Sequence, residues 1–282
     1  MTDLHAAPLH HRLTPRLDGI TLEHNMNKQE KLADLRRALT KAGLPPDRPS
    51  ISLGVAGADE ALGGGLMPGA LHEVHARDWG AAGFAACLAI RMAHLSRHKP
   101  LFWVRPDYEA LEYGGISPNG LLELGGDPAR LVVLAAPNAT EALAAAADIL
   151  ACPHVGALVL ELSRNPASLD LVASRRLAFA AAQSGVTVLA LREGATEMPS
   201  AALTRWQVKS APSSPDDDWG APAFTAQLVR NRLGPTGRWT MQWDVDHGLF
   251  RETRHDQYAP HPGRVAAAFA HRPDIQARAV GI

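Results

Sequence analysis

The sequence predicts an α/β fold: a mostly parallel sheet flanked by helices, followed by antiparallel strands and preceded by a short helix. Three observations carry this. Short apolar runs alternate with alanine-rich stretches long enough for helices, the pattern of right-handed βαβ units. Several of those runs are nearly continuous rather than alternating, as strands buried on both faces require. After residue 200 the apolar residues fall into period two, the mark of half-buried antiparallel strands.

In chain order, residues 1–26 mix Pro, His and Arg without periodicity, which predicts a disordered tail; Met26 offers an alternative start. In 27–49, Leu32, Leu35 and Leu39 recur at spacings of three and four and mark one apolar helix stripe. Gly43 and Pro45-Pro46 end that helix and open a linker. The core is expected over 50–253. LHEVH (71–75) reads as a strand, the stretch 83–96 as a helix and LFWV (101–104) as a strand. A loop containing Pro106, Gly114-Gly115 and Pro118 precedes the strand LVVLA (131–135). Asn138 with Glu141 is a capping-box signature opening the helix TEALAAAADIL. GALVLEL (156–162) reads as a fully buried strand. Asn165-Pro166 is expected to cap the next helix, which runs to Ser184-Gly185, and VTVLAL (186–191) is another buried strand. LTRWQVK, FTAQLVR and RWTMQWD then alternate, separated by turn formers at 212–222 and 234–237. Residues 254–282 are basic and proline-broken, and read as a tail.

Composition narrows the function. Within 282 residues, 46% are hydrophobic, 20% charged and 5% aromatic, so a substantial alanine-rich core is available. Net charge is −1, so any contact with nucleic acid must come from a local patch or from a partner. Neither a signal peptide nor an apolar run of membrane-spanning length occurs, and a cytoplasmic protein is expected. Cys87 and Cys152 each lie alone among apolar residues and read as small buried hydrophobes, without the spacing of a zinc site. The thirteen histidines are scattered and organise no metal site.

The motifs sit where a nucleotide-binding core would carry them. Between the first strand and its helix lies HARDWGAAGFAAC (75–87), the place of a phosphate loop. A working loop reads GxxxxGK[ST], with backbone N–H groups around the phosphates, a lysine on the terminal ones and a hydroxyl on magnesium. Here Gly80 and Gly83 supply flexibility, but Phe84 and Ala85 stand where Lys and Ser/Thr would follow, and no lysine occurs between Lys41 and Lys99. Neither hydrolysis nor a bound ATP cofactor is expected. Gly63-Gly64-Gly65 precedes the strand and reads as a turn. Glu161 ends GALVLEL where such cores place a metal-orienting acid; a carboxylate facing solvent is the plainer reading. Arg230 and Arg232 alternate along a strand, so both can face one partner. Arg164, Arg175, Arg176 and Arg192 are further candidates for phosphate contact.

The segment 51–74 resembles the stretch leading into the phosphate loop of bacterial RecA. FWVRPDYEA (102–110) resembles the strand end that carries RecA's catalytic glutamate, with Asp107 and Glu109 nearby but neither in a secure equivalent place. LVRNRLGP (228–235) resembles a basic motif that reaches a neighbour's nucleotide across the RecA filament. The loops that grip single-stranded DNA in RecA have only short counterparts here, SRNPASLD and REGATEMPSAA. Taken together in order and spacing, these features resemble the ImuA family from about Leu32 to Arg254. That resemblance implies a RecA-like core acting as a non-catalytic accessory in SOS-induced translesion synthesis. It implies an ImuB-type relative of Y-family polymerases and an error-prone DNA polymerase as partners. A RecA filament and self-association are further expected contacts, and DNA is reached mainly through partners. Two other readings compete: a DNA-dependent ATPase or recombinase in which Arg77 or Arg230 replaces the lysine, and a SulA-like inhibitor of cell division.

Overall fold

The computed structural model describes residues 49–76, 80–96, 98–213 and 220–253. The expected tails 1–26 and 254–282, and the stripe Leu32, Leu35 and Leu39, lie outside the described residues, as does Arg77.

A first short helix, α1 (Ala56–Ala61), is entered through a loop that Asp59 organises. Its carboxylate accepts from Ser52 Oγ, Leu53 N and Gly54 N at 2.7, 2.7 and 3.1 Å. Gly63, Gly64 and Gly65 all have positive φ, and a Cβ on Gly65 would strike the Ile51 carbonyl. They are turn residues, as expected.

Strand β1 (Leu71–Ala76) and helix α2 (Gly80–Leu95) follow, then β2 (Leu101–Pro106). The stretch expected as a loop after β2 contains two short helices, α3 (Asp107–Tyr113) and α4 (Pro118–Glu123). Ser117 caps α4, with Pro118 in its first turn. Next come β3 (Leu131–Ala136), α5 (Ala139–Leu150), β4 (Ala157–Glu161), α6 (Leu171–Ser184) and β5 (Thr187–Glu193). Asn138 Oδ1 accepts from Thr140 N and Glu141 N at 2.9 and 3.0 Å, the expected cap of α5. The cap of α6 is not Asn165-Pro166 but Asp170, whose carboxylate accepts from Ala173 N at 2.7 Å. Proline at 166 forbids a donor there without compelling a helix, whereas Asp170 satisfies an orphan N–H of the first turn. Gly185, left-handed at φ 73°, ends α6.

The chain finishes in β6 (Thr204–Ala211), β7 (Ala223–Asn231), β8 (Gly237–Asp244) and β9 (Leu249–Glu252). The last was not expected. All nine strands of the described residues form one sheet in the order β3-β2-β4-β5-β1-β6-β7-β8-β9. Strands β1–β5 pair in parallel, as the continuous apolar runs predict. Strand β6 is parallel to β1 and antiparallel to β7, so the change of direction falls on β6 itself. Helices α5 and α6 cover one face of the parallel half over Leu71, Val104, Leu158, Leu160 and Val188. Helix α2 covers the other, and its core continues into the antiparallel half through Trp206, Phe224, Met241 and Phe250. Cys87 is buried there, and burial pushes its thiol well above the ordinary range. Cys152 is instead exposed, in the turn after α5, because the helix has already ended at Leu150.

Candidate functional site

Chemistry in a parallel α/β sheet concentrates at the C-terminal ends of the strands. Two buried carboxylates lie in these strands, Glu161 at the end of β4 and Glu73 midway along β1. Between the end of β1 and α2 lies the expected phosphate loop. Helix α2 has already begun at Gly80, so Gly83 is a helical residue rather than a loop hinge. Phe84 and Ala85 are fully buried. The Phe84 ring stacks on Phe250 at 5.1 Å between centroids, meets Phe224 edge-on at 5.6 Å and lies 6.0 Å from Trp206. Phe84, expected from the sequence to stand in place of a phosphate-loop lysine, drives its ring into the seam between α2 and the antiparallel strands.

Glu161 does not face solvent. Its Oε2 accepts from Trp103 Nε1 at 2.7 Å and its Oε1 from Arg105 Nη2 at 2.9 Å, with only 5% of the residue exposed. Arg105 also donates through Nη1 to the Gly114 carbonyl at 2.8 Å, while its buried Nε has no hydrogen-bond partner among the described residues. Burial pushes the Glu161 carboxyl upward, against the pull of Trp103 and Arg105. These groups floor a cavity of about 260 Å³ between α2 and the 113–117 rim. Both carboxylate oxygens are thus engaged, one by an indole and one by a guanidinium. Trp103 and Arg105 both lie in FWVRPDYEA, and their alternation along β2 is the signal that they share a face. Of the two acids near that segment, Asp107 is exposed. Glu109 is buried and accepts from Ser163 N and Oγ at 2.9 and 2.6 Å, tying α3 to the end of β4.

The second carboxylate, Glu73, accepts from Arg205 Nε on β6 at 2.7 Å. Burial alone would raise its pKa, but His75, Arg205 and Ser200 outweigh it and hold the carboxyl at about 2. Arg205 donates further to Met198 O and Ser200 Oγ. Arg230 and Arg232, expected to face one partner, both lie along this seam. Arg230 Nη1 donates to Ser200 O at 3.1 Å, and Arg232 donates to Ser200 O and Ala202 O at 2.9 Å each. They thus anchor the 198–203 segment, with Arg232 exposed and Arg230 half-buried. Arg192 is buried and spends its donors on Leu162 O, Arg164 O and Asn165 Oδ1. Arg164 is exposed and pairs with Glu112 at 3.3 Å, and Arg175 and Arg176 lie on the exposed side of α6. Beside Glu73, His72 is buried between Thr204 Oγ1 and Met67 O, at 2.7 and 2.9 Å, and burial lowers its pKa to about 4. It is therefore a neutral imidazole donating from Nε2 to the Met67 carbonyl.

No group of three or more His, Cys, Asp or Glu among the described residues is placed to hold a metal ion. No described helix is long and apolar enough to cross a membrane.

No family model matches the chain. The RadB recombinase crystal structure is similar, with a TM-score of 0.48 and 16% identity over 72% of this chain and all of that one. Protein ImuA from two strains of Caulobacter vibrioides is 31% identical over 263 residues, spanning 86% of this chain and 98% of each relative. With that identity along nearly the whole relative, the chain belongs to the ImuA family.

Proposed function

We propose that this chain is a RecA-type accessory protein of DNA-damage-induced mutagenesis that docks on its partners without hydrolysing nucleotide. Its setting is SOS translesion synthesis in the cytoplasm. Its partners are an ImuB-type protein and an error-prone DNA polymerase, with a RecA filament as a further docking site, and its main access to DNA runs through them. Leu32, Leu35 and Leu39 are the first candidates for partner contact.

The observation that carries the non-hydrolytic reading is Phe84. Phosphoryl transfer needs a cation and a metal-ligating hydroxyl after the glycine of the loop, and here both positions are buried apolar core. Glu161 supports the same reading, because its ion pair with Arg105 stands where an acid would orient a metal.

The test is nucleotide binding and turnover by the full chain, with and without single-stranded DNA. The expected result is no saturable ATP binding and no turnover above buffer. DNA-stimulated hydrolysis that is lost in Arg230→Ala would overturn the reading in favour of an ATPase using an arginine for the missing lysine.

A further inference from the structure

The two faces of β6–β8 have different fates. Trp206, Val208, Phe224, Ala226 and Met241 point into the core beneath α2. The alternate residues point the other way and are polar: Gln207 and Lys209 on β6, Thr225 and Gln227 on β7, and Arg238 on β8. Register aligns them in rows. Gln207 stands opposite Gln227, which stands opposite Arg238, and Lys209 stands opposite Thr225. With the 194–197 segment and the end of β1 they enclose a cleft of about 850 Å³. It opens at the C-terminal ends of β1 and β5, where open α/β sheets take their ligands.

The chemistry of the cleft is that of an anion site with many donors. Lys209 and Arg238 are exposed and have no carboxylate partner among the described residues. The one carboxylate among the described lining residues, Glu197, accepts from Gln207 Nε2 at 2.9 Å. Arg230 and Arg232 extend the same face beyond the cleft, so it is basic although the whole chain carries −1. At the back, His75 is 6% exposed, with Nε2 3.5 Å from Glu73 and no hydrogen-bond partner among the described residues.

Two features set the kind of anion. The lining described holds no Phe, Tyr or Trp, so nothing there stacks on a base. Lys209 and Arg238 are two strands and two residues apart, about 12 Å at the backbone, which suits two points along a chain better than one small ion. We propose that this cleft binds the sugar–phosphate backbone of single-stranded nucleic acid. Arginine, lysine, glutamine and threonine all donate to phosphate oxygens, and contacts of this kind position a strand without reading its sequence. The protein then has a hold on DNA of its own, beyond the accessory role and independent of which partners fulfil it.

The test is fluorescence anisotropy of a labelled oligothymidylate of about 20 nucleotides with the full chain at low salt. The expected result is binding that weakens steeply with salt and falls at least about ten-fold in the doubly exposed variant Lys209→Glu/Arg238→Glu, with its melting temperature unchanged. Lys99→Glu, at an exposed lysine just before β2 and outside the cleft, reverses a charge elsewhere and should stay within about two-fold of wild type. No binding by the wild type would overturn the proposal, as would equal losses in the two variants. Displacement by polyglutamate of matched charge would assign the cleft to an acidic peptide instead. Displacement by thymidine monophosphate at the same phosphate concentration would reduce it to a single-phosphate site.

Discussion

Glu73 and Glu161 are both buried in parallel strands, Glu73 midway along β1 and Glu161 at the end of β4, and each is bonded to a buried arginine, yet they are shifted in opposite directions. Burial dominates at Glu161, whose helpers are one guanidinium and a neutral indole and whose neighbour Glu109 is another acid. At Glu73 the combined pull of His75, Arg205 and Ser200 overcomes a comparable burial. An arginine partner therefore does not by itself fix the ionisation of a buried carboxylate; the full set of donors and nearby charges does. Glu73 acts as a charged keystone between β1 and β6. Glu161, its carboxyl raised by burial, is held less firmly in its charged form.

Removing the keystone should have the largest effect. Glu73→Ala leaves Arg205 buried without its counter-ion and is expected to cost about 3–5 kcal/mol by chemical denaturation. A loss below about 1 kcal/mol would break the distinction between the two sites.

The acid limb comes next. A carboxyl lowered from 4.5 to about 2 stabilises the fold fully above pH 4.5, and this contribution is lost as pH falls towards 2. It amounts to about 3 kcal/mol, so Glu73→Gln should flatten the stability-versus-pH curve across that window. Slopes identical to wild type would show that Glu73 is not the group responsible.

The smallest effect is expected at Glu161. Glu161→Gln should cost about 1–2 kcal/mol at pH 7: Arg105 loses its counter-ion, but the amide oxygen still accepts a hydrogen bond and a charge that burial disfavours is gone. Its pH signature has the opposite sign. A raised carboxyl takes up its proton earlier in the folded state, offsetting part of the acid loss, so the variant should lose stability more steeply than wild type between pH 7 and 4.5.

The parallel half was legible because strands buried on both faces leave uninterrupted apolar runs, as at 157–161 and 187–191. Helices α3 and α4 escaped because seven and six residues among glycine and proline carry too few turns for a periodic stripe. Strand β9 escaped for a similar reason, with only Phe250 buried in Leu-Phe-Arg-Glu. The direction of β6 was illegible in principle, because Trp206 and Val208 alternate with polar residues whichever way the neighbour runs. The missing lysine could be read directly, but not the use made of Phe84, whose ring partners lie more than a hundred residues away. Nor could the capture of Glu161 by Trp103 and Arg105, since pairs 56 and 58 residues apart leave no local trace.

The central place of β1 bears on the order of assembly during synthesis. It is the first strand among the described residues, and all six of its residues are buried, yet its neighbours β5 and β6 arrive much later. The His72–Thr204 contact spans 132 residues. At typical elongation rates β1 therefore waits roughly 7–26 s on the ribosome before its second edge can be covered. Strands β7–β9, joined by connections of five and four residues, can pair among themselves as soon as they emerge. The nascent chain thus carries an incompletely paired strand through nearly half of its own translation, an interval in which an open strand edge is exposed to misassembly.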